Sequence, residues 1–412
     1  MGLHFRTITE VLDFGPYITT IILQGNGEAG SDPVSKEDFS VHVVRRTLAP
    51  DFPWPAFMGE RPSFPMEGER TVTDAFRSDE NGVMEEDGAF ITLRLVCDPR
   101  DGLGSIIRFN GQFNTSVETI YTVTRKTGDK TCVYDVSDGN EIVYGDLLEE
   151  GRNEEAGLSY VYYLPENRTG DRVPLIIWLH GAGEGGSEPR IAAIGNKVVN
   201  LISPDIQELF GGKACLLAPQ CPTMWMDDGE GYTRDGSSIY AEGLEKLIAD
   251  FVSAHPDIDL SRIYLGGDSN GGYMTVRMAL VNPVRYAAIF PVCEAYADEW
   301  IGERELEILK KIPSWFTAAK TDNVVPVDRY CVPTVKRLKE AGADCHLTLW
   351  DRVEDHTGFY KKEDGTPYEY AGHWSWIPML NDECRLDCDG KPVLVDGEEA
   401  SLLMWLASQK KA

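Results

Sequence analysis

The sequence contains no long hydrophobic run. The longest early apolar stretch, Ile18 to Leu23, carries two threonines and falls far short of the roughly 20 residues a membrane-spanning helix needs. A secretory opening is also missing, because Met1-Gly2-Leu3-His4-Phe5-Arg6-Thr7 has no basic start leading into an apolar core. This predicts a cytoplasmic protein, or a secreted one if the sequence is a mature or trimmed form. Basic residues are few beside acidic ones: 39 against 67, a net charge of -28 over 412 residues. Such a surface repels nucleic acid and anionic membrane, which excludes both as partners and leaves solubility as the plain role of the charge. The nine cysteines are scattered and odd in number. They read as buried free thiols, with Cys384 and Cys388 as a candidate local pair. No second ligand pair with zinc spacing accompanies them, so no metal is expected.

Short strands fill residues 1–137. Phe39-Ser40-Val41-His42-Val43 and Ile91-Thr92-Leu93-Arg94-Leu95 alternate apolar and polar residues, and Gly, Pro, Asn and Asp clusters separate the runs. About seven strands without a helix predict an immunoglobulin-like β-sandwich, with residues 50–87 as an extended loop. His4 and His42 read as surface or strand residues. Residues 138–412 have another texture: apolar strands such as Leu175–Leu179 alternate with helical spacing such as Leu244, Leu247, Ile248 and Phe251. That predicts an α/β domain with a mostly parallel sheet, whose site lies at the carboxyl ends of the strands.

One stretch organises that second domain. In Arg262-Ile263-Tyr264-Leu265-Gly266-Gly267-Asp268-Ser269-Asn270-Gly271-Gly272-Tyr273 an apolar strand meets a Gly-x-Ser-x-Gly turn, and an amphipathic helix follows. This is the pattern of a nucleophile elbow, with Ser269 exposed at the strand end. Chance alone yields roughly 0.2 such matches in a chain this long, so the context must carry the reading. After the strand Leu175–Leu179 comes His180-Gly181-Ala182-Gly183-Glu184, where an oxyanion hole would take one amide. Ala182 is the expected donor, with Gly181 as second choice and Asn270 as the other amide. Asp322, just past the strand Trp315–Ala319, is favoured over Asp328 as the acid. For the base, loop length points to His356. An inserted hairpin over 359–371, followed by an apolar helical run from His373, points to His373, which is preferred. His255 and His346 read as structural. Glu184 and Trp225 are candidate substrate contacts; Trp225 belongs to the Met224–Tyr232 segment, which reads equally as a pocket lining and as a surface loop.

With the order Ser, Asp, His in place, the chain resembles bacterial α/β-hydrolase esterases that carry an N-terminal immunoglobulin-like domain, of the Thermotoga type. The resemblance covers nearly the whole chain. It rests on Ile8-Thr9-Glu10-Val11-Leu12-Asp13-Phe14-Gly15, Trp178-Leu179-His180-Gly181-Ala182-Gly183-Glu184, Ala218-Pro219-Gln220-Cys221-Pro222 and Gly372-His373-Trp374-Ser375-Trp376. It implies that the histidine of the Gly-His-x-x-Trp pattern, His373, is the base. The wider kinship takes in polyhydroxybutyrate depolymerase-like, feruloyl esterase-like and prolyl oligopeptidase-like hydrolases. The expected activity is therefore a serine carboxylesterase without cofactor, acting on a small-molecule or polysaccharide ester such as an acetyl or feruloyl ester. A prolyl oligopeptidase-like peptidase and a non-catalytic polysaccharide- or partner-binding protein with a relict fold are the alternatives. A homo-oligomer is left open.

Overall fold

Strand periodicity shapes the first 146 residues. In the computed structural model, which describes residues 2–25, 33–55, 60–61, 64–166 and 172–411, β1 (Leu3–Leu12) buries Phe5, Thr7, Thr9 and Val11 and turns their neighbours outward. That is the period of two of a half-buried strand. The other strands of this unit are β2 (Gly15–Gln24), β3 (Phe39–Thr47), β4 (Glu67–Arg70), β5 (Val72–Ser78), β6 (Phe90–Leu95), β7 (Ile107–Phe109), β8 (Asn114–Thr127) and β9 (Lys130–Ile142). They run in the order β4-β3-β8-β9-β1-β2-β6-β5, with β7 against β8. β1 and β9 pair in parallel. Ile18, Ile21, Leu23, Val41, Val43, Leu93 and Val123 fill the core.

Two expectations for this unit change. The 50–87 segment is not all loop, since it holds β4 and β5; residues 56–59 and 62–63 lie outside the described residues. Glu67-Gly68-Glu69-Arg70 lies at the end of the strand order, where an edge strand has no apolar alternation to reveal it. The unit also runs past 137. β9 continues to Ile142 because Thr9 of β1 still pairs with it there. The two compact units are 1–146 with 194–196, and 147–193 with 197–412.

The second unit has the strands β10 (Glu149–Asn153), β11 (Leu158–Tyr163), β12 (Val173–Leu179), β13 (Cys215–Gln220), β14 (Ile258–Asp268), β15 (Ala288–Val292), β16 (Ser314–Ala319) and β17 (Cys345–Trp350). Its helices are α1 (Ile191–Ile194), α2 (Pro204–Leu209), α3 (Ala241–Ala254), α4 (Asn270–Val281), α5 (Glu303–Leu309), α6 (Cys331–Glu340), α7 (Trp376–Leu380) and α8 (Leu402–Ser408). The sheet order is β10-β11-β13-β12-β14-β15-β16-β17. β13 through β17 pair in parallel, and β10 and β11 are antiparallel. All seven residues of β12 are buried, as in a sheet covered on both faces. β12 lies between β13 and β14, so the chain order reverses across it and leaves a crevice at the carboxyl ends. No helix among the described residues is long and apolar enough to cross a membrane.

Candidate active site

β14 delivers Ser269 to that edge through a strained turn. Ser269 has φ 55° and ψ -112°, a conformation that L-residues hold only when their surroundings impose it. The Ser269 amide donates to Val292 O at 2.9 Å, and Ser269 O accepts from the Tyr273 amide at 2.9 Å. These bonds tie the turn to β15 on one side and to α4 on the other. The crossing is tight. A Cβ on Gly271 would stand 1.8 Å from Leu179 O, so only glycine lets α4 start against the end of β12.

The acid and the base arrive from the last two strands. Asp322, fully shielded, follows β16; its Oδ1 accepts the amides of Val324 and Val325, each at 2.9 Å. Its Oδ2 lies 2.8 Å from His373 Nδ1, and His373 Nε2 lies 2.9 Å from Ser269 Oγ. The bond to Asp322 makes Nδ1 the protonated nitrogen and leaves Nε2 to accept the serine proton. Gly372 lets the two loops meet, because a Cβ there would stand 2.4 Å from the Thr321 carbonyl carbon. His356 is elsewhere: its exposed ring pairs with Glu383 and lies tilted against the Trp350 ring. Asp328 is exposed. Backbone bonds Asp355 N to Tyr368 O and Tyr370 N to Val353 O, each 2.8 to 2.9 Å, place His356 within the inserted loop that precedes His373.

Ala182 is half-buried at the head of a 3-10 turn, Ala182–Glu184, and Asn270 opens α4. The Asn270 side chain is buried and accepts the Met226 amide at 3.3 Å, which leaves the backbone amide as the part that can serve an oxyanion. His180 braces the turn. Its Nδ1 lies 2.6 Å from Gly181 O, and its Nε2 accepts the Cys221 amide at 3.2 Å. Burial pushes this imidazole down to about 4, so it stays neutral and keeps the one tautomer that suits both bonds.

The two expected substrate contacts fall elsewhere. Trp225 has no exposure; it packs in the core against His180 and Tyr240, with ring centroids 5.1 and 6.0 Å apart. Glu184 is 5% exposed and turns its carboxyl inward toward Gly181. Both were read from their place in loops, and loop position says nothing of which way a side chain turns. The strain at Cys293 (φ 36°) and the buried carboxyl of Glu294, pushed up to about 8 by burial, carry no sequence signal. His255 caps α3 through Phe251 O at 2.8 Å. Burial pulls His346 down, but Asp344 and Asp387 outweigh it and push it up to about 9. Cys384 is buried and Cys388 exposed, and the two form no disulfide. No group of three His, Cys, Asp or Glu side chains among the described residues is arranged to hold a metal.

Comparison with known proteins bears on this architecture. Residues 4–133 match the family described as the esterase Ig-like N-terminal domain. The match covers most of the first unit. Along with the esterase Ig-like domain, the rest of the chain has a counterpart in the crystal structure of a thermostable esterase. That structure is similar at a TM-score of 0.75 and 23% identity, over 99% of each chain. The likeness is one of fold: an esterase Ig-like domain followed by an α/β-hydrolase unit. A Pyrococcus horikoshii acylaminoacyl peptidase is more distant, at 15% identity over 57% of this chain and 41% of that one, TM-score 0.37. So is an acetyl xylan esterase from Aspergillus awamori, at 14% over 44% and 75%, TM-score 0.33. Neither score carries an argument. A comparison with curated proteins finds no match.

Proposed function

We propose that the protein is a serine carboxylesterase. One observation carries the reading: His373 bridges Ser269 Oγ at 2.9 Å and Asp322 Oδ2 at 2.8 Å, at a serine held in a strained turn. His373 Nε2 takes the proton as Ser269 Oγ attacks the ester carbonyl, and Asp322 stabilises the imidazolium that forms. The amides of Ala182 and Asn270 receive the oxyanion, the latter at the positive end of α4. His373 then gives its proton to the leaving alcohol. In the second half it removes a proton from water, and Ser269 is released from the acyl group. No step needs a metal or a redox group. An ester substrate suits this machinery because the alcohol leaves once His373 protonates it.

The test is Ser269→Ala, assayed on p-nitrophenyl esters of increasing acyl length, acetylated xylan, feruloyl esters and peptide amides. kcat should fall on the order of 10⁴-fold or more on the esters that the wild type cleaves. A serine-directed phosphonate should label Ser269 alone. Ester hydrolysis undiminished in the folded alanine variant overturns the mechanism, and faster cleavage of peptide amides than of esters overturns the substrate class.

A further inference from the structure

Two acids that the triad does not use meet beneath the oxyanion turn. Asp268 ends β14, directly before Ser269, and is 1% exposed; Glu184 ends the Ala182–Glu184 turn and is 5% exposed. Gly181 lies between them. A Cβ built there would stand 2.7 Å from Asp268 Oδ2 and 2.9 Å from Glu184 Oε2, so both carboxyl groups close on one α-carbon. Gly181 has φ -67° and ψ 175°, extended backbone open to any residue. Glycine is needed there for room alone.

The same short segment is held by hydrogen bonds. The Gly181 amide bonds to the Asp268 carboxyl. The Glu184 amide donates to Gly181 O over 3.3 Å, and His180 Nδ1 reaches the same oxygen at 2.6 Å. Glu184 O in turn accepts Gln220 Nε2 at 2.8 Å, which anchors the turn to the end of β13. The residue after Gly181 is Ala182, whose amide the proposed mechanism assigns to the oxyanion.

We propose that Asp268 and Glu184 are positioning residues for ester hydrolysis: their carboxyl groups grip Gly181 and so set the direction of the Ala182 amide. This rests on the reading of Ser269 as the nucleophile. Burial first, and then the charge of Glu184, hold Asp268 well above the usual carboxylate range. Two carboxyl groups buried side by side cannot both ionise, so the pair retains one proton. Loss of the proton sets two negative charges against each other beside the place where the oxyanion develops. The titratable groups facing the pair from neighbouring elements supply no compensating charge. His180, after β12, is neutral. The Cys293 thiol after β15, which feels both Asp268 and Asp322, is pushed well above its ordinary range.

The experiment compares ester hydrolysis by wild type, Glu184→Ala, Glu184→Gln and Ser269→Ala across pH. Removal of a whole oxyanion donor costs about 10² to 10³ in kcat. Misdirection of one should cost less, about 10- to 100-fold in Glu184→Ala, with KM nearly unchanged. Glu184→Gln keeps a hydrogen-bonding head and should recover most of that loss near neutrality. At alkaline pH the wild type should lose kcat as the pair gives up its proton, and Glu184→Gln, whose amide has no such proton to lose, should not share that decline. A wild-type kcat in Glu184→Ala, or the same alkaline decline in Glu184→Gln, overturns the proposal. If Glu184→Ala does not fold, the alkaline comparison decides by itself. Ser269→Ala separates the two readings: activity lost there with Glu184 variants indistinguishable from wild type overturns the pair alone, whereas activity retained there overturns the nucleophile and the pair together.

Discussion

The two units bury charge of opposite sign. The Ig-like unit encloses Arg45, Arg70 and Arg108, with Asp13 as its one buried acid among the described residues. The hydrolase unit encloses Glu184, Asp259, Asp268, Glu294, Asp322 and Asp355, and buries no lysine or arginine among them. A guanidinium keeps its charge at every pH a protein meets, so a buried one serves as a fixed tie. Arg70 shows the use: it donates to Tyr121 Oη at 2.7 Å, to Val96 O at 2.8 Å and to Ile18 O at 3.1 Å. A carboxyl group can be charged or neutral according to its surroundings, which is why buried acids gather where chemistry is done. The strained backbone divides the same way. Ser269, Cys293, Asp382 and Asp396 have positive φ in the hydrolase unit, against Tyr144 in the other.

The largest expected effect tests whether the acids and their histidine matter at all. His373→Ala should cost nearly as much as the loss of Ser269, on the order of 10⁴ in kcat, because triad members act as a unit. His356→Ala, which breaks a surface pair with Glu383, should leave kcat within about twofold. Equal losses in both variants would contradict the assignment. Next comes Gly372→Ala, whose added methyl must push the His373 loop off Thr321. A shift of about 1 Å in catalytic geometry costs about 10²-fold, and an unchanged kcat would mean that the loop moves aside freely.

The smaller effects test the quiet unit. Arg70→Leu strands two carbonyls and a tyrosine hydroxyl, and should cost about 2–4 kcal/mol in urea unfolding. kcat per folded molecule should stay at the wild-type value; a drop would show that the Ig-like unit takes part in the reaction. The smallest effect concerns His346, raised from 6.5 to about 9. A raised folded value means that its stabilisation is fully present below 6.5 and is lost as pH climbs through about 9. Between those limits the wild-type Tm should fall by about 2–4 °C more than that of His346→Gln. Parallel Tm curves would place the ion cluster outside the stability of the fold.

The fold could be read early because its signals are local. β12 is a continuous apolar run, and the glycines around Ser269 announce a turn that no larger residue could form. The polar strands β4 and β10 stayed hidden, since Glu67-Gly68-Glu69-Arg70 and Glu149-Glu150-Gly151-Arg152-Asn153 carry no apolar alternation and sit at sheet edges. At the site, chain order and loop chemistry singled out Ser269, Asp322 and His373, which the structure brings together. Side-chain direction was the illegible part. Trp225 and Glu184 occupy loops that follow β13 and β12, but one ring faces the core and one carboxyl faces Gly181. Nothing in the order of residues states which way a loop side chain turns.

The bond between His373 and Ser269 joins residues 104 positions apart, and that between His373 and Asp322 spans 51. Closure of such long loops is slow beside helix growth, so contacts of this range form late in folding. On a ribosome, the elbow emerges more than a hundred residues before His373 is synthesised, and α4 can form while Ser269 still lacks its imidazole partner. In refolding, recovered activity should lag behind recovered helical signal, and the lag would time the docking of the final strands.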